Sequence, residues 1–147
     1  MEYVIELVTA FLSSIGFALL FNVQRERLML TGVGGFLGWG VYLLAVALGA
    51  ADVPGYFAAA VVITIYAEAM ARIVKCPATI FLATAAIPLV PGGTLYRSMY
   101  AFMSSDPELG TAYCVEAILL AAALALGMLF PTAVLRPMRR RKEQENK

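Results

Sequence analysis

The stretch that decides the fold is Ile87-Pro88-Leu89-Val90-Pro91-Gly92-Gly93-Thr94-Leu95-Tyr96-Arg97, inside an apolar segment that runs from residue 78 to residue 103. The two prolines cannot donate to a helical ladder, and their rings clash with the preceding turn. The residues from 78 to 87 would rise about 15 Å as a helix, half of a hydrocarbon core of about 30 Å. The sequence therefore predicts two half-helices with a break at residues 88–93, near the middle of a membrane.

This break is the predicted substrate site. Irregular backbone at such a depth is tolerated only where it is buried in protein or lines a wet cavity. We expect Thr94 to cap the second half-helix, whose free N–H groups and positive dipole end favour an anionic group. Arg97 follows in the first turn, or else anchors the helix at the outer headgroups with Tyr96 and Tyr100. The predicted substrate-binding residues are Pro88, Pro91, Gly92, Gly93, Thr94 and Arg97.

Composition predicts an all-α integral membrane protein. Of the 147 residues, 61% are hydrophobic and 14% are charged, and the mean hydropathy is +0.80. Soluble domains have about 45–50% apolar and about 25% charged residues. The chain has no histidine and no nucleophile–base set, and Cys76 and Cys114 match no metal or disulfide spacing. We therefore expect no enzyme activity, no cofactor and no metal site.

Hydropathy divides residues 1–135 into five spans of a single transmembrane domain. Acidic residues, Glu2 and Glu6, stand at the start of the first span and basic residues follow it, so we expect a retained span rather than a signal peptide. Gly34 and Gly38 in the second span allow close helix approach, although a substrate-facing role remains an alternative. The predicted spans are 3–21, 28–50, 54–75, 78–103 (broken) and 111–135, followed by a basic cytoplasmic tail at 136–147.

An acid within the third span is a second candidate. Glu68 lies about 10 Å deeper than Lys75 by helical rise, and an ionisable group at that depth is a functional candidate. We expect Glu68 to couple transport to protons. The alternative is a structural pair with Arg72, four residues on and on the same helix face.

Charge distribution predicts the topology. With five crossings and the N-terminus outside, ten of the eleven basic residues fall on the cytoplasmic side, as the positive-inside rule requires. The tail is then a topology signal facing anionic lipid, and we expect no nucleic-acid partner. Arg97 is the exception. The ten cytoplasmic residues are Arg25, Arg27, Arg72, Lys75, Arg136, Arg139, Arg140, Arg141, Lys142 and Lys147.

Three local patterns carry a family resemblance. They are Gly16-Phe17-Ala18-Leu19-Leu20-Phe21-Asn22-Val23, the glycine-rich run from Gly35 to Tyr42, and Lys75-Cys76-Pro77 leading to Ile87-Pro88-Leu89-Val90-Pro91-Gly92. Their order and the five-span plan resemble the threonine/serine exporter family, in particular its short membrane-only component, which corresponds to the C-terminal half of the fused exporter. Gln24 stands where the family often has the proline of Asn-Val-Pro.

The resemblance implies a secondary exporter of small hydrophilic metabolites in the inner or plasma membrane, linked to the proton-motive force. The substrate would be a threonine/serine-type amino acid or, alternatively, a dicarboxylate such as succinate. The implied partner is a second five-span subunit of opposite orientation that carries a cytosolic domain. An odd span count alone fits that inverted repeat or a homo-oligomer. A non-transporting assembly subunit is the remaining alternative, although a scaffold needs no irregular backbone at the midplane.

Overall fold

The computed structural model describes the backbone of residues 1–145 and the side chains of residues 1 and 3–133. Within these residues the chain is all-helical. Two 3-10 helices, Arg25–Arg27 and Ile87–Leu89, accompany six α-helices. The α-helices are α1 (Glu2–Leu20), α2 (Leu28–Ala47), α3 (Asp52–Val74), α4 (Ala78–Ala86), α5 (Gly92–Met103) and α6 (Pro107–Glu145).

Four of these helices, α1, α2, α3 and α6, are long and apolar enough to cross a membrane. The α4 and α5 pair makes a fifth crossing if the two bent helices form one span. For the described residues, the prediction of an all-helical protein is therefore confirmed, with four or five candidate spans. The side of the membrane that each terminus occupies stays a prediction.

Several helix boundaries differ from the predicted spans because of local capping. Helix α6 begins at Pro107, earlier than residue 111, since the Asp106 carboxylate accepts the Leu109 N–H at 3.1 Å and a proline at the first helical position needs no donor. Helix α2 ends at Ala47, before Gly49 takes a left-handed φ of 88°. The side chains of the predicted basic tail, and all of residues 146–147, lie outside the described residues.

Helices α1 and α2 form an antiparallel pair held together by small residues. A Cβ added at Gly32 would lie 2.7 Å from the Phe11 ring, and one at Gly35 would collide with Ser14 Oγ. At the other end of the pair, Gly40 faces Leu7. The absent side chains therefore set both the spacing and the register of the two helices.

Helices α3 and α4 pack against other glycines of α2, because an added Cβ at Gly34 would lie 3.0 Å from Ala85 Cβ of α4 and 3.1 Å from the Tyr66 ring of α3. A Cβ added at Gly38 would lie 2.6 Å from Ile63 Cγ2 and 3.3 Å from Leu89 Cδ1. The Tyr66 hydroxyl donates to the Leu30 carbonyl at 2.7 Å, which ties α3 to the beginning of α2. The core at this junction includes Ala59, Ala60, Ile63, Ala85, Leu89, Leu120, Ala123 and Leu124.

Helix α5 stands apart from this core. Within the described residues its substantial packing is against α6 alone, where Ser98 Oγ donates to the Gly110 carbonyl at 2.8 Å. Its other face carries Tyr96, Met99 and Tyr100, which are exposed by 69%, 66% and 63%. Helix α5 therefore packs on α6 outside the central bundle, and we call it the arm.

Candidate functional site

Between α4 and α5 lies the break: the 3-10 helix Ile87–Leu89 is followed by Val90 and Pro91, the two residues there that belong to no helix. Pro88 lies early in the 3-10 helix and Pro91 is the N-cap of α5, so both prolines occupy positions that need no N–H donor. The two helices meet at an angle of 43°. The break is thus narrower than the predicted range 88–93, because Gly92 and Gly93 belong to the first turn of α5.

The prediction that Thr94 caps the second half-helix is wrong. Helix α5 begins at Gly92, so Thr94 is its third residue, and no side chain bonds to the helix start. Pro91 is the N-cap of α5, where the N–H that proline lacks has no helical partner in any case. Thr94 instead contributes a half-buried side chain to the first turn of α5.

The start of α5 nevertheless presents unused hydrogen-bond donors. The Gly92 N–H donates to the Val90 carbonyl at 2.7 Å, and the first regular helical bond runs from Leu95 to Pro91 at 3.1 Å. Within the described part of the chain, the N–H groups of Gly93 and Thr94 find no acceptor. An added Cβ at Gly92 or Gly93 would have nothing within 4 Å, so this first turn is open to a ligand.

The other predicted site residues differ in their burial. Pro91 is buried at the break, whereas Arg97 is exposed on α5. No ion pair of Arg97 occurs among the described side chains. Of the six predicted residues, only Pro88 lines the cavity beside the break.

That cavity lies between α1, α2 and the 3-10 helix of the break, with a volume of about 260 Å³. Its walls are mostly apolar, but α1 contributes one carboxylate and two hydroxyls. The lining residues are Ile5, Glu6, Thr9, Ala10, Ser13, Trp39 and Pro88.

Glu6 and Trp39 are joined within this cavity. The Trp39 indole N–H donates to Glu6 Oε2 at 3.0 Å, and both side chains are half-buried. The Trp39 ring packs against Tyr42 with a centroid separation of 5.1 Å, and the Tyr42 hydroxyl donates to Asp52 at 2.8 Å. An aromatic and acidic cluster therefore extends from the cavity to the start of α3.

The sequence contained a signal for this cluster that we did not use. Glu6, Thr9 and Ser13 are spaced three and four residues apart, which places three polar side chains on one face of an apolar helix. Their partner Trp39 was identified only as part of a glycine-rich run. Contact between α1 and α2 depends on helix register, which the polar spacing alone does not give.

Glu68 lies elsewhere and is paired as predicted by its spacing. Its carboxylate is 3.6 Å from the Arg72 guanidinium, with side-chain exposures of 26% for Glu68 and 56% for Arg72. Neighbouring Tyr66 contacts the beginning of α2, whereas Trp39 of the cavity lies near the other end of that helix. Glu68 is therefore displaced from the cavity at the break towards the opposite end of the bundle.

A second cavity, of about 420 Å³, lies at that opposite end. The connector between α1 and α2 meets the first turns of α4 there, and Arg27 supplies the cationic group. The residues that line it are Phe21, Asn22, Val23, Gln24, Arg27, Thr79, Ile80 and Ala83. In the described residues, no group of acidic or cysteine side chains is arranged to hold a metal ion.

Comparison with known proteins gives one family match. The model described as "Threonine/Serine exporter, ThrE" matches residues 6–134, which includes every helix that lines the two cavities. Comparison with curated proteins yields no match, and comparison with solved structures yields none either.

Proposed function

This chain belongs to the threonine/serine exporter family, and we propose that it is one subunit of a secondary exporter of small amino acids of the threonine/serine type. The observation that carries the proposal is the broken helix. Two prolines interrupt α4 and α5 beside a cavity that contains a carboxylate and an indole. Discontinuous helices of this kind bind substrates in secondary transporters, because their ends leave backbone groups free.

The start of α5 would bind the carboxylate of the substrate. The free N–H groups of Gly93 and Thr94 lie at the positive end of the helix dipole, and no neighbouring atom fills the space beside the two glycines. Arg97, one turn further along the arm, would add charge-assisted hydrogen bonds to the same group. Pro88 and Pro91 would keep this backbone out of the helical ladder.

Energy coupling is assigned to Glu68. It is the acid most deeply placed in α3, it is partly buried, and its ion pair with Arg72 is solvent-accessible enough to open. In this mechanism, proton entry releases Glu68 from Arg72 and is linked to substrate movement. The proton-motive force would then drive export across the inner or plasma membrane.

The second subunit would be a five-span protein of opposite orientation that carries a cytosolic domain. The exposed face of α5 and the open start of that helix support a partner, since one chain leaves the predicted carboxylate site uncovered. With the N-terminus outside, five spans would place the tail in the cytoplasm, and the two subunits would form an inverted repeat. A homo-oligomer would satisfy the same geometry.

Efflux from proteoliposomes tests this function. Labelled threonine, serine and succinate would be loaded into vesicles that contain this chain, its five-span partner, or both. We expect threonine or serine efflux that requires both chains and increases with an imposed proton gradient. Efflux of succinate alone would replace the amino-acid assignment with a dicarboxylate exporter. No efflux in any combination would contradict a transport role and favour an assembly subunit.

A further inference from the structure

We propose that Glu6 and Trp39 form the subsite for the ammonium group of the substrate, so that the exporter selects amino acids over dicarboxylates. The inference deepens the proposed function and rests on it. The ammonium group would be bound by a carboxylate in the cavity beside the broken helix, whereas Glu68, the candidate for proton coupling, lies at the opposite end of the bundle.

The charge of the cavity favours a cationic group. Glu6 is the one ionisable side chain among its lining residues, and no lysine or arginine lines it. The Trp39 N–H engages Glu6 Oε2 at 3.0 Å and thereby fixes the position of the carboxylate. An ionised carboxylate accepts several hydrogen bonds, so Glu6 keeps acceptor capacity for a ligand cation while it is held by the indole.

The Trp39 side chain forms the aromatic part of the cavity lining. Trp39 lines the cavity together with Glu6 and donates to it through the N–H edge of the indole. An ammonium group within hydrogen-bond reach of Glu6 would therefore lie beside that ring. A carboxylate in the same place would meet like charge from Glu6 and lose this interaction.

The size of the cavity and the polarity of its hydroxyl groups also suit a small amino acid. The volume of about 260 Å³ lies just under the range of about 300–1,000 Å³ that accommodates drug-sized ligands, so the cavity suits a small metabolite. Thr9 Oγ1 donates to the Ile5 carbonyl at 2.7 Å and Ser13 Oγ donates to the Ala10 carbonyl at 3.1 Å. With their protons used, both hydroxyl oxygens remain acceptors, which again favours a donor such as ammonium.

Trp39 itself reports on the proposed subsite, because it is the single tryptophan of the chain. The experiment is a fluorescence titration of the full-length chain in lipid nanodiscs with threonine, 3-hydroxybutyrate and succinate. 3-Hydroxybutyrate has the carbon skeleton and hydroxyl of threonine without the ammonium group. We expect a saturable change in Trp39 emission with threonine and none with the other two compounds.

The variant Glu6→Gln keeps the size of the side chain and removes its charge, and it should weaken the threonine response about tenfold or more, as expected for loss of a hydrogen bond to a charged group. Glu116→Gln is the matched control, since Glu116 is also a half-buried acid of an apolar helix but does not line the cavity. Its titration should resemble that of the wild-type chain.

Three results would overturn the subsite. They are an undiminished threonine response in Glu6→Gln, an equal response to 3-hydroxybutyrate, or no response of the wild-type chain to threonine. Because the titration measures binding and the vesicle assay measures transport, the two proposals fail separately. Amino-acid efflux without a Trp39 response would support the exporter function but contradict the subsite at Glu6. Efflux of succinate would contradict the proposed substrate class itself.

Discussion

In the bundle formed by α1 to α4 and α6, the glycines of α2, α3 and α6 meet side chains of neighbouring helices, whereas the two glycines at the start of α5 meet nothing. A Cβ at Gly38 would lie 2.6 Å from Ile63 Cγ2, but one at Gly92 or Gly93 would find no atom within 4 Å. The same residue type therefore has two uses in one chain. In the bundle it brings helices into contact, and in the arm it leaves the backbone N–H groups accessible.

Because of this difference, we expect the bundle to determine the stability of the protein and the arm to determine transport. Substitutions in the bundle should alter packing, and substitutions in the arm should alter substrate handling while the fold is kept. Each region contains residues that can be exchanged against a matched control, so the separation can be tested directly.

The largest expected effect is on transport, from Arg97→Gln in the arm. If Arg97 binds the substrate carboxylate, loss of a charge-assisted hydrogen bond should reduce efflux about tenfold or more, with insertion and thermal stability unchanged. Efflux from proteoliposomes measures this. Arg25→Gln, an exposed arginine of the first connector, should transport normally. Wild-type efflux in Arg97→Gln would make Arg97 an interfacial anchor.

The next effect is on stability, from Gly127→Ala. The added Cβ would lie 2.5 Å from the Ala60 Cβ and 2.7 Å from the Phe57 carbonyl oxygen, and backbone does not yield easily. Overpacking of this kind costs about 1–3 kcal/mol, which thermal unfolding in detergent should detect. Gly16→Ala, with nothing near its Cβ, should be neutral or stabilise by up to about 1 kcal/mol. Equal stability of the two variants would contradict the close α3–α6 contact.

A smaller loss of stability is expected from Tyr66→Phe. The substitution removes the 2.7 Å hydrogen bond to the Leu30 carbonyl and should lower the free energy of unfolding by about 0.5–1.5 kcal/mol. Tyr100→Phe, at an exposed position of the arm, is the control and should unfold at the wild-type temperature. If both variants behave alike, the tie between α3 and α2 contributes nothing measurable.

The smallest effect on stability is expected from Glu68→Gln. Its ion pair with Arg72 is partly exposed, and such pairs contribute between about 0 and 1 kcal/mol. The informative readout is the dependence of efflux on pH, which should flatten if Glu68 carries the coupling proton. Glu26→Gln, an exposed acid of the first connector, should keep the wild-type profile. An unchanged profile in Glu68→Gln would leave a purely structural pair.

The sequence predicted the features that depend on local chemistry. Pro88 and Pro91 interrupt a helix wherever they stand, so the broken segment was visible, and the spacing of Glu68 and Arg72 gave their contact. The Thr94 cap was predicted wrongly because a proline and two glycines were taken as non-helical. In fact each of these residues is tolerated at the start of a helix.

The Glu6–Trp39 contact could not be predicted in the same way. It joins residues 33 positions apart, and it exists because Gly32, Gly35 and Gly40 fix how α1 lies along α2. A shift of one helical turn between the two helices would separate the carboxylate from the indole. The relative position of α1 and α2 depends on how the two helices pack, so the sequence of either helix alone does not predict it.

The break at Val90 and Pro91 also has a mechanical consequence. No continuous hydrogen-bonded ladder joins α4 to α5, so the direction of α5 is fixed mainly by its contact with α6. Helix α5 has 12 residues and is therefore about 18 Å long. A rotation of about 10° at the break would displace its far end by about 3 Å, at the rise per residue of a regular helix. A small rotation beside the cavity would therefore give a larger displacement at the loop joining α5 to α6.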